Sequence, residues 1–252
     1  MAYLADVHCH LDHPNIYHHL DEILSRAKQA GVKAIVNAGV NEKSNQISLD
    51  ISRKYPLVLA GLGLFPGDIK SEQDIVRVKE QILANKEHVR AIAEIGLDGS
   101  PGYPPIYLQR LAFLELLTFA KHLGVCAIVH TRKAEEECVD TVLKFGYKKV
   151  IFHCFSGSLR LAKQIADAGC YLSLPPSITY TTHFRRMVEE IPSTRLVAET
   201  DSPYLPPVRG EINEPMNVAV VVREFSALKK VTYEEAEKMF FQNVQHLFSP
   251  LP

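Results

Sequence analysis

Short apolar runs alternate along the chain with stretches whose apolar positions recur at helical spacing. The runs AYLADVH (2–8), VKAIVNAG (32–39), LVLAGLG (57–63), VRAIAEIG (89–96), VCAIVH (125–130), KVIFHCF (149–155), CYLSL (170–174) and RLVAET (195–200) predict eight β-strands. The intervening segments carry helix signals. LDEILSRAKQAG, YLQRLAFLELLTFAKHLG and LRLAKQIADAG each end on glycine, and SEQDIVRVKEQILAN opens on Ser-x-x-Asp. Two more helical patterns, MNVAVVVREFSALKK and YEEAEKMFFQNVQHLF, close the chain. Eight strand–helix units in a chain of this size predict an α/β fold, a (β/α)8 TIM barrel, whose usual length is about 250 residues. A doubly wound open sheet is the rival. It would place a glycine-rich phosphate loop after the first strand, and HCHLDHP stands there instead. With no Ser/Gly linker or low-complexity block, residues 1–252 are expected to form one barrel domain.

Composition adds limits. The 252 residues are 46% hydrophobic, enough for a substantial core, and 28 basic against 29 acidic residues give a net charge of -1. No global basic field recruits nucleic acid, so an anionic partner must be attracted locally. Five cysteines without a CxxC pair lie in apolar runs, which fits buried reduced thiols in a cytoplasmic protein. The N-terminus lacks a secretory pattern, and no apolar run approaches the about 20 residues of a membrane span. No protein partner is evident.

The chemistry sits at the strand ends. Strand 1 ends in His8 and His10, strand 4 in Glu94, strand 5 in His130, strand 6 in His153 and strand 8 in Asp201. Barrel closure would bring all six to the C-terminal mouth, where barrel active sites lie. Side chains alternate along a strand, so His8 and His10 face one way and Cys9 the other, with Asp6 on the histidine side. The same parity turns Cys154 away from His153. Each residue has a plainer reading: a hydrogen-bonded core histidine, a salt-bridged Glu94, a capping Asp201. Their coincidence at one barrel end favours metal. Four imidazoles and two carboxylates suit Zn, Mn, Co or Fe, and Mg less well. Six ligands exceed one tetrahedral ion and suffice for two if Glu94 bridges. Two dications against two carboxylates leave a charge of about +2, which attracts anions to a neutral protein. A nucleophilic serine finds no GxSxG elbow.

These residues also carry a resemblance. DVHCHLD, AEIGLD, IVHTRKA, FHCFSGS, ETDSPYLPPVRGEINEPMNV and NVQHLF span nearly the whole chain in order. With them the sequence resembles the TatD family of metal-dependent deoxyribonucleases, within the wider amidohydrolase-like barrels. The resemblance implies a distorted barrel with two divalent ions. His8, His10 and Asp201 would hold one and His130 and His153 the other, with Glu94 as the bridge. Asp201 would also orient the attacking water and accept its proton, so Glu94 and Asp201 are the implied catalytic pair. The implied substrate is DNA, cleaved at its phosphodiesters, with exonucleolytic action as one form. Related barrels bridge their metals with a carboxylated lysine, and Glu94 at that place favours the TatD branch.

Two departures stand out. Many family members carry Gly-x-His-Pro after strand 3, where GLGLFPGD puts Phe65. Phenylalanine cannot donate to a phosphate; it can stack on a base, worth about 1–3 kcal/mol, or pack the loop. The loop DGSPGYPP also differs from the tyrosine-rich family version. Further substrate contacts are open to two readings each. Arg132 meets a phosphate or starts a helix. Ser156 and Gly157 face an anion or form a turn. Arg185 and Arg186 steer a backbone or are solvated. Arg209 touches substrate or holds its loop. Asp6 is expected to buffer a ligand histidine. Hydrolysis of a lactone, amide or small phosphoester on the same barrel is the alternative activity.

Overall fold

The structure is a computed structural model, and it describes residues 3–249 and 251. Ala2, the first residue of the first expected strand, lies outside the described residues. Eight parallel strands pair in chain order: β1 (Leu4–Cys9), β2 (Val32–Ala38), β3 (Val58–Leu62), β4 (Val89–Asp98), β5 (Cys126–Arg132), β6 (Val150–Phe152), β7 (Tyr171–Leu174) and β8 (Leu196–Ala198). The helices among the described residues are α1 (Pro14–Tyr17), α2 (Leu20–Gln29), α3 (Glu42–Lys54), α4 (Glu72–Ala84), α5 (Ile106–Leu123), α6 (Glu135–Phe145), α7 (Leu159–Asp167), α8 (Thr182–Glu190), α9 (Val218–Lys229) and α10 (Tyr233–Phe248). At least one helix follows every strand, which makes the expected α/β barrel.

The barrel has one seam. Strands β1 to β7 each ladder onto the next, whereas β1 meets the segment that follows β8 through bonds near the mouth. The His10 amide donates to Ser202 (2.8 Å) and the Asp201 amide to His8 (2.9 Å). The buried Asp6 carboxylate closes the seam from below by accepting from the Thr200 amide, the Thr200 hydroxyl and the His8 amide. Asp6 therefore holds backbone across the seam, where the sequence suggested it buffers an imidazole.

Two apolar layers fill the molecule. Ala5, Val7, Val36, Ile128 and Val197 fill the barrel, stoppered by Val244, Leu247 and Phe248 of α10. Ile92, Leu116, Leu117, Val139 and Phe225 pack between strands and helices. Each such fully buried side chain contributes about 1.5–3 kcal/mol over an exposed one. Cys9 lies in this outer layer, turned away from the ligand-type histidines. The register of β1 shifts between Asp6 and Cys9, so the alternation that puts Val7 inside does not run unbroken to His10.

Strand lengths differ from expectation where the site is built. Strand β4 runs through Glu94 to Asp98, with a register shift between Ile92 and Ile95. Strands β6 and β8 stop at Phe152 and Ala198, so His153 and Asp201 stand in the turns beyond. The backbone in those turns is left-handed at Cys154 (φ 44°) and Asp201 (φ 54°). Two glycines allow the crowding. A Cβ on Gly96 (φ 143°) would lie 2.0 Å from the His130 carbonyl oxygen, and one on Gly63 would lie 2.5 Å from the Glu94 nitrogen. No described helix is long and apolar enough to cross a membrane.

Candidate metal centre

Glu94 is the pivot of the mouth. Its carboxylate is almost fully buried and turns one oxygen to each of two groups of ligand atoms. Oε2 faces His8 Nε2 (3.7 Å) and His10 Nε2 (3.6 Å), and both nitrogens also face Asp201 Oδ1 (3.5 and 3.4 Å). Oε1 faces His153 Nε2 (2.9 Å) and His130 Nδ1 (3.1 Å), which stand 3.4 Å apart. Atoms about 2.1 Å from one tetrahedral ion lie about 3.4 Å from each other, so both groups have the spacing of a shared cation. Among the described residues, His8 is fully buried with neither ring nitrogen hydrogen-bonded. An unpartnered buried polar group is costly, and a cation between Nε2 and the two carboxylates removes that cost. The donor set of imidazole and carboxylate fits a divalent metal.

Electrostatics follow from burial and proximity. Burial pushes the Asp201 carboxyl up, but His10 and His8 beside it pull harder and hold it well below the usual carboxylate range. Glu94 is held down in the same way against burial, chiefly by His153 and His130. Burial opposes protonation of His153, yet Glu94 raises it to about 10, and Asp201 and Glu94 likewise raise His10 to about 9. His8, buried and beside His153, is lowered to about 4. The two carboxylates therefore stay ionised and acceptor-only.

The histidines of the two groups are backed differently. His10 Nδ1 meets the Ala38 carbonyl at 3.2 Å. His130 Nε2 meets Asp98 Oδ2 at 3.0 Å, and His153 Nδ1 lies 3.8 Å from Glu199 Oε2. Glu199 is fully buried, and burial raises it to about 8. Asp98 and Glu199 had no role in the sequence reading. Each left one signal there: Asp98 falls four residues after Glu94 in the same strand, and Glu199 falls two before Asp201.

A cavity of about 580 Å³ opens over the centre, lined among others by His10, Glu94, His130, His153 and Asp201. Of the substrate contacts suggested by sequence, Arg132 and Phe65 line it. Phe65 is half-buried with its ring edge-on to His130 (4.9 Å) and Tyr103 (6.1 Å). Ser156 is exposed in the turn after His153 and does not line this cavity. Arg209 is also outside it, with its guanidinium over the Tyr180 ring at 4.6 Å. Arg185 and Arg186 pair with Glu224 and Glu190. Tyr103 and Tyr204 complete the aromatic rim, unforeseen because each sits in a proline-rich loop without periodicity. A larger groove of about 640 Å³ lies between α3 and α4, but its Arg77 is paired with Glu42 and Asp74 and it holds no ligand cluster. All five cysteines are free, Cys154 half-buried and the others buried.

Comparison with known proteins places this architecture. The family model described as "TatD related DNase" matches residues 5–249. Human deoxyribonuclease TATDN3 is 32% identical over 261 residues, covering 98% of this chain and 95% of that protein. An uncharacterized metal-dependent hydrolase of Methanocaldococcus jannaschii is 31% identical over 246 residues, covering 97% and 96%. Among solved structures, the TatD homologue YJJV of Escherichia coli superposes with a TM-score of 0.92 at 27% identity, covering 99% of this chain and 98% of that one. The family match and these relatives span nearly the whole of each chain, and on that ground the chain belongs to the TatD family of metal-dependent hydrolases.

Proposed function

We propose that the chain works as a single barrel domain, residues 1–252, that hydrolyses DNA phosphodiesters with two divalent ions. The observation that carries this is Glu94, which presents one carboxylate oxygen to each of two ligand clusters. His8, His10 and Asp201 would hold one ion, and His130 and His153 the other. When bound, such ions (Zn, Mn, Co, Fe or Mg) lower the pKa of water and offset charge on both oxygens of an in-line displacement at phosphorus.

The protein's own groups supply the rest. Asp201, ionised and at the edge of the cavity, accepts a hydrogen bond from the attacking water and takes its proton. Arg132 presents guanidinium donors to a non-bridging phosphate oxygen, a charge-assisted contact. Phe65, Tyr103 and Tyr204 offer rings to the neighbouring nucleoside, each stacked base being worth about 1–3 kcal/mol in other proteins. The name of the human relative, a deoxyribonuclease, supports DNA over other phosphoesters. Ser156 and Arg209, outside the cavity, would meet only more distant parts of a strand.

The test is digestion of end-labelled single- and double-stranded DNA by protein stripped of metal and reloaded with Mn²⁺ or Zn²⁺. A panel of lactones, amides and small phosphoesters runs alongside. The reading expects metal-dependent DNA cleavage that His8→Ala abolishes. Equal DNA cleavage by stripped, reloaded and variant protein would sink it, as would a panel substrate turned over far faster than DNA.

A further inference from the structure

Asp98, the last residue of β4, touches both a candidate ligand histidine and the arginine of the cavity. It is 1% exposed. A single oxygen, Oδ2, lies 3.0 Å from His130 Nε2 and 2.8 Å from Arg132 Nε. The other oxygen accepts the Ser100 amide at 2.9 Å. The residue itself is clamped: the Asp98 amide donates to Gln109 Oε1 (2.8 Å), and Gln109 Nε2 donates back to the Asp98 carbonyl (3.0 Å) and to the Pro104 carbonyl (2.7 Å). Gln109 is also 1% exposed, so the clamp lies in the core.

A carboxylate facing Nε2 keeps the imidazole proton there and leaves the Nδ1 lone pair free. Nδ1 is the His130 atom that faces Glu94 and His153. The same carboxylate fixes the Arg132 guanidinium through Nε, and Arg132 Nη2 donates to the Tyr103 hydroxyl at 2.7 Å. Nη1 and the remaining Nη2 proton are left for a ligand in the cavity that Arg132 lines. One oxygen thus sets both the ligand face of His130 and the aim of the cation across the cavity.

We infer that Asp98 is a positioning residue that couples ion binding at His130 and His153 to phosphate binding at Arg132. This rests on the reading of the centre as a metal-dependent phosphodiesterase. Without Asp98 both neighbours lose their common anchor. His130 can flip its proton to Nδ1 and present the wrong nitrogen, and Arg132 can swing out of the cavity. Arg132 alone carries only the second function.

The test measures two bindings on the full chain and needs no turnover. Zn²⁺ affinity is read by competition with a chromophoric chelator, and inorganic phosphate affinity by calorimetry on the Zn²⁺-loaded protein. Asp98→Asn is expected to weaken Zn²⁺ at one of the two positions about 10–100-fold and to weaken phosphate as well. Arg132→Met should weaken phosphate and leave Zn²⁺ unchanged. In the Asp98→Asn background it should cost phosphate binding less than in the wild type, the non-additivity of groups in one network. Should Asp98→Asn not fold, Asp98→Glu keeps the charge but displaces the shared oxygen, and the same joint loss is expected in smaller measure. An Asp98 variant that lowers the melting temperature while both affinities hold, or that loses only one of them, overturns the assignment. Failure to cleave DNA with both affinities behaving as expected would count against the substrate and not against Asp98.

Discussion

The two ligand clusters flanking Glu94 share its carboxylate and differ in where their other negative charge stands. The cluster of His8 and His10 has Asp201 among its ligand atoms, and its histidines are backed by the Ala38 carbonyl or by nothing. The cluster of His130 and His153 has no second carboxylate in front. It has the ionised Asp98 behind His130 instead, with Glu199, which burial raises to about 8, standing 3.8 Å from His153 Nδ1. A carboxylate behind an imidazole raises the ring's basicity and fixes its orientation. Charge is thus supplied from the front on one side and through the ring on the other. In the proposed reaction the front carboxylate, Asp201, is the one that accepts the proton, which assigns that task to the first cluster. Their construction differs too, since the first cluster spans the barrel seam while the second lies at the end of the β5–β6 ladder.

Substitutions can break this comparison in order of effect. Glu94→Gln removes the group both sides share, so metal content should fall at both clusters and DNA hydrolysis by about a thousandfold or more. Metal analysis by mass spectrometry and kcat report it; retention of both ions would refute the shared-carboxylate reading. Asp201→Asn comes next. It should lower kcat by about 10²–10⁴ while His130 and His153 keep their ion, measured as loss of one metal equivalent and not two. Glu199→Gln is smaller. Metal affinity should drop about tenfold, with kcat restored by excess metal, because the ring it backs still binds. If kcat stays low at saturating metal, Glu199 acts on the reaction and not on the ring.

Asp74, remote from both clusters, calibrates the series. Burial pushes its carboxyl up, but the Lys70 and Ser71 amides and Arg77 outweigh that and leave it below its ordinary value. A depressed folded-state pKa stabilises above the unfolded value and loses that contribution as pH falls through the folded one. Asp74→Ala should therefore cost about 1 kcal/mol at neutral pH, with the difference from wild type shrinking below about pH 4. Denaturant titration at several pH values measures it. Metal content should not change.

Much of the site could be read without coordinates. Alternation along β1 placed His8 and His10 together with Cys9 turned out, and the other ligands followed apolar runs that could only be strands. Asp98 escaped notice because its role depends on β4 continuing past Glu94, and the register shift that carries it there has no local pattern. Tyr103 and Tyr204 escaped because loops carry no period. Arg209 and Arg132 looked alike as lone cations after a strand, and only the structure shows one stacked on Tyr180 and the other in the cavity.

The sequence by itself determined the fold class and singled out the six candidate ligand residues that the structure brings together. Those follow from residue type and spacing within single strands, where covalent geometry decides which side chains share a face. The tertiary structure decided which ligand meets which, that Glu94 divides its oxygens between two clusters, and that buried Asp98 and Glu199 stand behind the second. Such relations join residues from different strands, and their distances are set by the seam, the strand register and the glycines that let backbones approach, none of which a single segment encodes.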